Sequence, residues 1–227
     1  RFEDIDLRYS VGAFDNDKLV GFIFFGIDGT TAWDGGTGVI PAYRGQKLTQ
    51  RMLEYSFPVL KAQNIDRVLL EVLENNIGAR SIYERAGFSI TRKLHGYKGQ
   101  VNIDKTHSYK IEVLTEFDYG MLSKLSGFKF AWQQMDKRIQ NRASIITTIG
   151  IRDNSEIVAY MHFDAKASRV HQFGTAENHR RKGLATALFQ YLAQNCTPPI
   201  LVVNIEDASQ ANTFIQSTGL AHLISQY

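Results

Sequence analysis

The chain has 227 residues, 44% apolar and 22% charged, an ordinary composition for a globular protein with room for one large domain or two small ones. Its 26 basic and 23 acidic side chains leave a net charge of only +3, which argues against nucleic acid as a partner. A lone cysteine, Cys196, excludes an intramolecular disulfide and fits a reducing, cytoplasmic setting; no apolar run reaches membrane-spanning length and no signal-peptide pattern is present in these residues.

Apolar alternation predicts strands over residues 9–14, 19–26 and 32–40, the first two joined by a polar turn at 15–17. A helix is predicted from about Gly45, with Pro58 expected to kink or end it. A strand at 68–73, a helix at 78–86 closed by Gly87, and a strand at 89–95 complete the first half. The second half opens with a strand at 109–113, and helices at 116–125 and 130–141 follow. Strands then come at 144–152, 156–163 and 169–175. A helix starts near Gly183, where Leu184, Ala187, Leu188, Tyr191 and Leu192 fall on one face. A strand at 200–205, a helix at 210–217 closed by Gly219 and a short last strand end the chain.

The two halves repeat. Residues 42–53, "AYRGQKLTQRML", align with residues 178–189, "NHRRKGLATALF", so that Arg44 matches Arg180, Leu48 matches Leu184 and Thr49 faces Ala185. A glycine stands six residues before each arginine, Gly38 and Gly174, and residues 67–88 parallel 200–220. The shared order, antiparallel hairpins leading into a strand–helix–strand crossover, predicts an α/β fold with a mixed sheet and a central parallel pair in each half. The domains are expected at 1–104 and 105–227. Domain 1 has 43 residues before Arg44, against about 70 between the opening strand of domain 2 and Arg180, so the natural chain is expected to extend upstream of Arg1.

In such sheets a ligand lies at the carboxyl ends of the parallel strands, over the start of the following helix. There the basic run Arg180, Arg181 and Lys182 adds positive charge to the positive end of a helix dipole. An anion relieves this, and a phosphate is the simplest candidate. No metal-ligand spacing occurs: Cys196 stands alone and the histidines are scattered, with His162 and His171 read as structural.

The run Val39, Pro41, Arg44, Gly45, Leu48, then Leu70, Glu71, Val72, Asn76, Ala79, Tyr83, Gly87 and Phe88, resembles the Gcn5-related N-acetyltransferase (GNAT) superfamily, and the resemblance covers the chain as two tandem copies. It implies acetyl-CoA as donor, with no metal, and an amine as acceptor: a small molecule or a peptide, not a nucleic acid or a membrane. It also implies that the turn before each helix wraps a pyrophosphate with backbone N–H groups. The turns are Arg44, Gly45, Gln46, Lys47, Leu48 and Thr49 in domain 1, and Arg180, Arg181, Lys182, Gly183, Leu184 and Ala185 in domain 2. Val39 and Asn76 join them as coenzyme-binding positions. Domain 1 departs from the pattern at Lys47, where the family has glycine, and at Thr49. A bulge near the end of the strand before the turn frees an N–H for the oxyanion in this family. Tyr83 takes the place of the tyrosine that protonates the departing thiolate, and Asp34 and Glu71 are the candidate general bases. Domain 2 carries Ala208 and Ile215 where domain 1 has Asn76 and Tyr83, so the chemistry is expected chiefly in domain 1. The alternative is a coenzyme A-binding scaffold or sensor in which one or both copies are inactive. The resemblance leaves the acceptor and the oligomeric state open.

Overall fold

The structure, a computed structural model, describes residues 4–104 and 107–227. The chain forms two compact units: Arg1–Thr91 with Gln226–Tyr227, and Arg92–Ser225. The division falls between Thr91 and Arg92, where the sequence reading draws it between 104 and 105.

The first unit carries β1 (Val11–Asp15), β2 (Lys18–Asp28), β3 (Thr31–Val39), α1 (Leu48–Ala62), β4 (Arg67–Leu69) and α2 (Ile77–Arg85). Its sheet has the order β1-β2-β3-β4, antiparallel except for the parallel pair β3–β4. Ile23 and Phe25 of β2 point to the face where Met52, Leu53 and Leu60 of α1 converge, and these side chains form the buried core. Pro58 lies inside α1, and the helix runs through it to Ala62. The expected strand at 68–73 keeps ladder pairing only over Arg67–Leu69. Beyond it the backbone of Val72 exchanges two hydrogen bonds with Tyr227, at 3.0 and 2.9 Å.

The second unit carries β5 (Leu94–Gly99), β6 (Glu112–Val113), α3 (Tyr119–Ser123), α4 (Asp136–Asn141), β7 (Thr147–Asp153), β8 (Glu156–Asp164), β9 (Arg169–Thr175), α5 (Leu184–Asn195), β10 (Ile200–Glu206), α6 (Ala211–Ser217) and β11 (Ala221–Gln226). Its sheet runs β11-β5-β10-β9-β8-β7-β6, with β9–β10 the parallel pair. The strand expected at 89–95, as the last of domain 1, is instead β5, inserted in this sheet between β10 and β11. Gly96 explains the fit: a Cβ there would stand 2.9 Å from Ile224 of the neighbouring strand, and Leu94 and Tyr97 on either side are 2% exposed.

The two helices expected at 116–125 and 130–141 are shorter. The Asp118 carboxylate accepts from the Met121 N–H at 2.7 Å and starts α3 at Tyr119. The second is split into a 3-10 turn, Trp132–Gln134, and α4, because Met135 is extended (φ −63, ψ 152).

Both parallel pairs stop short. β3 and β4 pair only through Trp33↔Leu69, and β9 and β10 only through Val170↔Val202. Past these points β3 and β9 run on without their parallel partner. Each carries a β-bulge just there: the register passes from Phe24↔Gly36 to Phe25↔Asp34, skipping Gly35, and from His162↔Gln172 to Phe163↔Val170, skipping His171. Gly35 and His171 stand nine residues before Arg44 and Arg180, so the sequence repeat is a structural repeat at the bulge itself.

Candidate active site

In the first unit, the residue beside the bulge is Asp34, a carboxylate that is 9% exposed. Its Oδ1 accepts from the Gly36 N–H at 2.9 Å and its Oδ2 from the Thr37 hydroxyl at 2.6 Å. Oδ2 also accepts from the Tyr83 hydroxyl at 3.4 Å. The bulge makes this possible, since it turns the strand so that positions 34 and 37 share a side. Burial raises the Asp34 pKa above the ordinary carboxylate value, against the lowering effect of its three donors. Burial likewise pushes the Tyr83 phenol up to about 12, and the negative charge of Asp34 adds to the rise.

Tyr83 is held by the end of its own helix. Gly87 takes φ +95, a left-handed conformation that costs a side-chain-bearing residue roughly 1–2 kcal/mol. The chain then reverses, so that the Phe88 N–H donates to the Tyr83 carbonyl at 3.0 Å and the Gly87 N–H to Glu84 at 3.0 Å. Phe88 lands edge-on against the Tyr83 ring, with centroids 5.6 Å apart. Asn76, expected near the coenzyme, caps the same helix: its side chain accepts from the Ala79 N–H at 3.2 Å. Glu71 lies half-buried two residues past β4.

The turn before α1 and the turn before α5 have the same construction. Arg44 Nε donates to the Val39 carbonyl at 3.1 Å, and Arg180 Nε donates to the Thr175 carbonyl at 3.2 Å. Each turn contains two left-handed residues, Gly45 (φ +79) and Lys47 (φ +58) in one, Arg181 (φ +62) and Gly183 (φ +90) in the other. Lys47 therefore adopts the backbone that glycine adopts in the second copy, and its side chain is exposed. Neither helix start has a side-chain cap, so the first-turn N–H groups, those of Leu48 and Thr49 in one copy and of Leu184 and Ala185 in the other, face outward as donors. Gln46 and Lys182 are exposed in the middle of each turn.

The surroundings of the two turns differ. A Cβ built at Gly45 meets nothing within 4 Å, whereas one at Gly183 would collide with the His107 ring. The Tyr109 hydroxyl donates to the Lys182 carbonyl at 2.6 Å. The cavity beside the second turn, about 620 Å3, is lined in part by His107, Arg180, Gly183, Phe173 and Phe214.

The positions equivalent to Asp34 and Tyr83 in the second unit are Val170 and Ile215, 1% and 0% exposed within its apolar core. The polar pair of one copy is an apolar pair in the other. The sequence singles out Asp34 and Tyr83 separately as candidates, and the fold brings them within 3.4 Å. Thr37 is not singled out, because an i, i+3 pair lies on opposite faces of a regular strand and meets only across a bulge. His107 and Tyr109 carry no sequence signal that would place them over the turn of a helix more than 70 residues on.

Sequence comparison identifies the fold by family. The description "Acetyltransferase (GNAT) family" matches residues 1–88 and "Acetyltransferase (GNAT) domain" matches residues 113–225. The chain belongs to the GNAT acetyltransferase family. It carries two GNAT domains in tandem, as the repeat implied.

A curated relative, N-alpha-acetyltransferase 30 of Schizosaccharomyces pombe, is 31% identical over 95 residues, covering 40% of this chain and 63% of that protein. The chain thus spans less than two thirds of that relative's length. Among solved structures, a GCN5-related N-acetyltransferase from Sphaerobacter thermophilus superposes with a TM-score of 0.70 at 13% identity, over 99% of this chain and 81% of the other. A tandem GNAT protein from the clavulanic acid biosynthesis pathway gives 0.67 at 12% identity, over 96% and 81%. At these identities the likeness is one of fold.

The family uses acetyl-CoA. The first unit fits a phosphate-bearing coenzyme, since its helix-start amides are uncapped and the space at Gly45 is open. Among the described residues no group of three His, Cys, Asp or Glu side chains is arranged to hold a metal ion, and no helix is long and apolar enough to cross a membrane. Cys196 is a buried free thiol.

Proposed function

We propose that this protein is an acetyl-CoA-dependent N-acetyltransferase that moves an acetyl group to a primary amine, with the chemistry in the first GNAT domain. The observation that carries the reading is the Asp34–Tyr83 pair, a buried carboxylate and a half-buried phenol beside the Gly35 bulge in one copy, replaced by Val170 and Ile215 in the other.

When bound, acetyl-CoA supplies an acetyl group activated as a thioester. The outward N–H groups of Leu48 and Thr49 hold the phosphates, each such helix-terminal contact contributing roughly 0.3–1 kcal/mol. Arg44, fixed to Val39, sets the path of the turn. Gly35, unpaired in the ladder, leaves a backbone donor for the oxygen that gains charge during transfer. Tyr83 keeps its proton at neutral pH and is the proton donor to the leaving group. Its 3.4 Å bond to Asp34 is long enough to be exchanged for a better acceptor. Asp34 is a positioning residue for Tyr83, and Glu71, half-buried two residues past β4, is the proton acceptor for the incoming ammonium.

The acceptor class to try first is the α-amine of a peptide, on the strength of the likeness to N-alpha-acetyltransferase 30. Small amines and lysine side chains come next. The test is thiol release from acetyl-CoA against these amine classes, in the natural chain and in Tyr83→Phe. The variant keeps the ring against Phe88 and removes only the hydroxyl. A fall in kcat of about 10²–10⁴-fold with unchanged acetyl-CoA affinity is expected, the usual contribution of a general acid or base. Full kcat in a folded Tyr83→Phe would overturn the assignment to the first domain.

A further inference from the structure

The two bulges have unlike fates. In the first unit Gly35 is exposed. In the second, the carbonyl of the bulge residue His171 accepts from Gln134 Nε2 at 2.6 Å, and the same nitrogen donates to the Val203 carbonyl at 2.9 Å. His171 and Val203 are the residues that immediately follow the last parallel pair, Val170↔Val202. Gln134 therefore bridges the two strands at the point where they part. It is 1% exposed, and its own carbonyl accepts from Gln172 Nε2 at 2.5 Å. Asn204 of β10 donates to Gln133 at 3.1 Å, tying the neighbouring residue to the same strand.

The segment 125–134 also reaches the outer part of the β9 edge. The Thr175 N–H donates to the Leu125 carbonyl at 2.9 Å. A Cβ at Gly174 would come within 2.5 to 2.8 Å of Leu125 and Ser126 backbone atoms, so the segment lies directly on the strand. Two of the edge groups that an extended ligand would use, the His171 carbonyl and the Thr175 N–H, are taken by the chain itself. The cavity beside the α5 turn stops accordingly: Phe173 is in its lining, while His171 and Gln134 are not.

We infer that Gln134 is the residue that closes the second domain to the thioester arm of acetyl-CoA and so confines the coenzyme's reactive end to the first domain. The inference rests on the function proposed above. Burying two strand carbonyls without donors is unfavourable. A ligand arm would have to supply donors to both carbonyls before it could displace the Gln134 amide, which already satisfies them within the fold.

The experiment is acetyl-CoA binding to the whole chain, read as stoichiometry by calorimetry and as site-resolved amide exchange. In the unaltered protein one acetyl-CoA per chain is expected, with protection at residues 48–51 and none at 184–187 or at Thr175. Two per chain, or protection at 184–187 and Thr175, overturns the inference and leaves the proposed function standing. No binding at all overturns the proposed function, and this inference with it. In Gln134→Ala the two carbonyls lose their donor, and the stoichiometry is expected to rise from one to two, with new protection at 184–187. A folded Gln134→Ala that still binds one acetyl-CoA overturns the role of Gln134. If that variant does not fold, the exchange pattern of the unaltered protein decides the matter.

Discussion

Phe88 and Tyr83 are joined twice, by a 3.0 Å backbone hydrogen bond and by edge-on ring packing at 5.6 Å. The joint exists because Gly87 between them turns left-handed. Helix termination and the geometry of the candidate site are thus one feature, and the residue that ends α2 also fixes the phenol that faces Asp34.

Gly87→Ala tests this coupling. Open space surrounds the position, so the cost is conformational, roughly 1–2 kcal/mol. Beyond a lower thermal midpoint, kcat is expected to fall at temperatures where the variant is fully folded, because Tyr83 loses its fixed place. A destabilised variant with unchanged kcat would separate the cap from the site.

The pH dependence of turnover follows from the phenol. With its pKa pushed up to about 12, Tyr83 stays protonated throughout the ordinary assay range. Between pH 7 and about pH 10, close to the pKa of an ordinary tyrosine, kcat is expected to show no decline assignable to this residue. A decline that appears in that range and vanishes in Tyr83→Phe would refute the environment described for it.

Asp34 makes a prediction about stability. Its folded pKa is raised above 3.8, so the folded state holds the proton more tightly than the unfolded state does. Stability from this group is therefore fully present below 3.8 and declines as pH rises through the folded value. Asp34→Asn removes that decline, so its stability relative to the natural chain should be greater at pH 7 than at pH 4. The first domain can be followed alone, since Trp33 lies in it and Trp132 in the second: a Trp132→Phe background leaves Trp33 as reporter. Equal differences at the two pH values would mean the carboxylate is not desolvated.

Much of this was legible in the sequence. The repeat places the two turns and the contrast between Tyr83 and Ile215, because these rest on local spacing, while the bulge is expected from the family resemblance alone. The strand expected at 89–95 in the first domain is found at 94–99 in the second domain's sheet, since pairing between Tyr97 and Val202 joins residues about a hundred positions apart and leaves no local trace. Gln134 was invisible for a related reason. A glutamine in a predicted helix reads as a solvated side chain, and only the break at Met135 turns it into the space between two strands. Asn76 is expected from the sequence at the coenzyme, and in the fold its side chain caps the start of α2.

The buried histidines of the second domain give a last prediction. His162 and His171 are 0% and 5% exposed, and burial lowers their pKa values to about 3 and about 4. His162 keeps one bond, Thr148 Oγ1 to Nδ1 at 2.8 Å, while its Nε2 and the His171 Nδ1 have no partner among the described residues. Both rings are neutral in the fold, and both take up a proton near pH 6.5 once unfolded. The unfolded state then binds more protons, so stability is present above 6.5 and is lost as pH falls toward 4. Each histidine contributes a slope of up to about 1.4 kcal/mol per pH unit in that window, and the pair about twice that. Urea unfolding of the second domain, followed through Trp132 in a Trp33→Phe background, should weaken steeply between pH 6 and pH 4.5. His162→Gln should halve the slope without reversing it. An unchanged slope in that variant, with the domain folded at pH 7, would place the acid sensitivity elsewhere than in this pair.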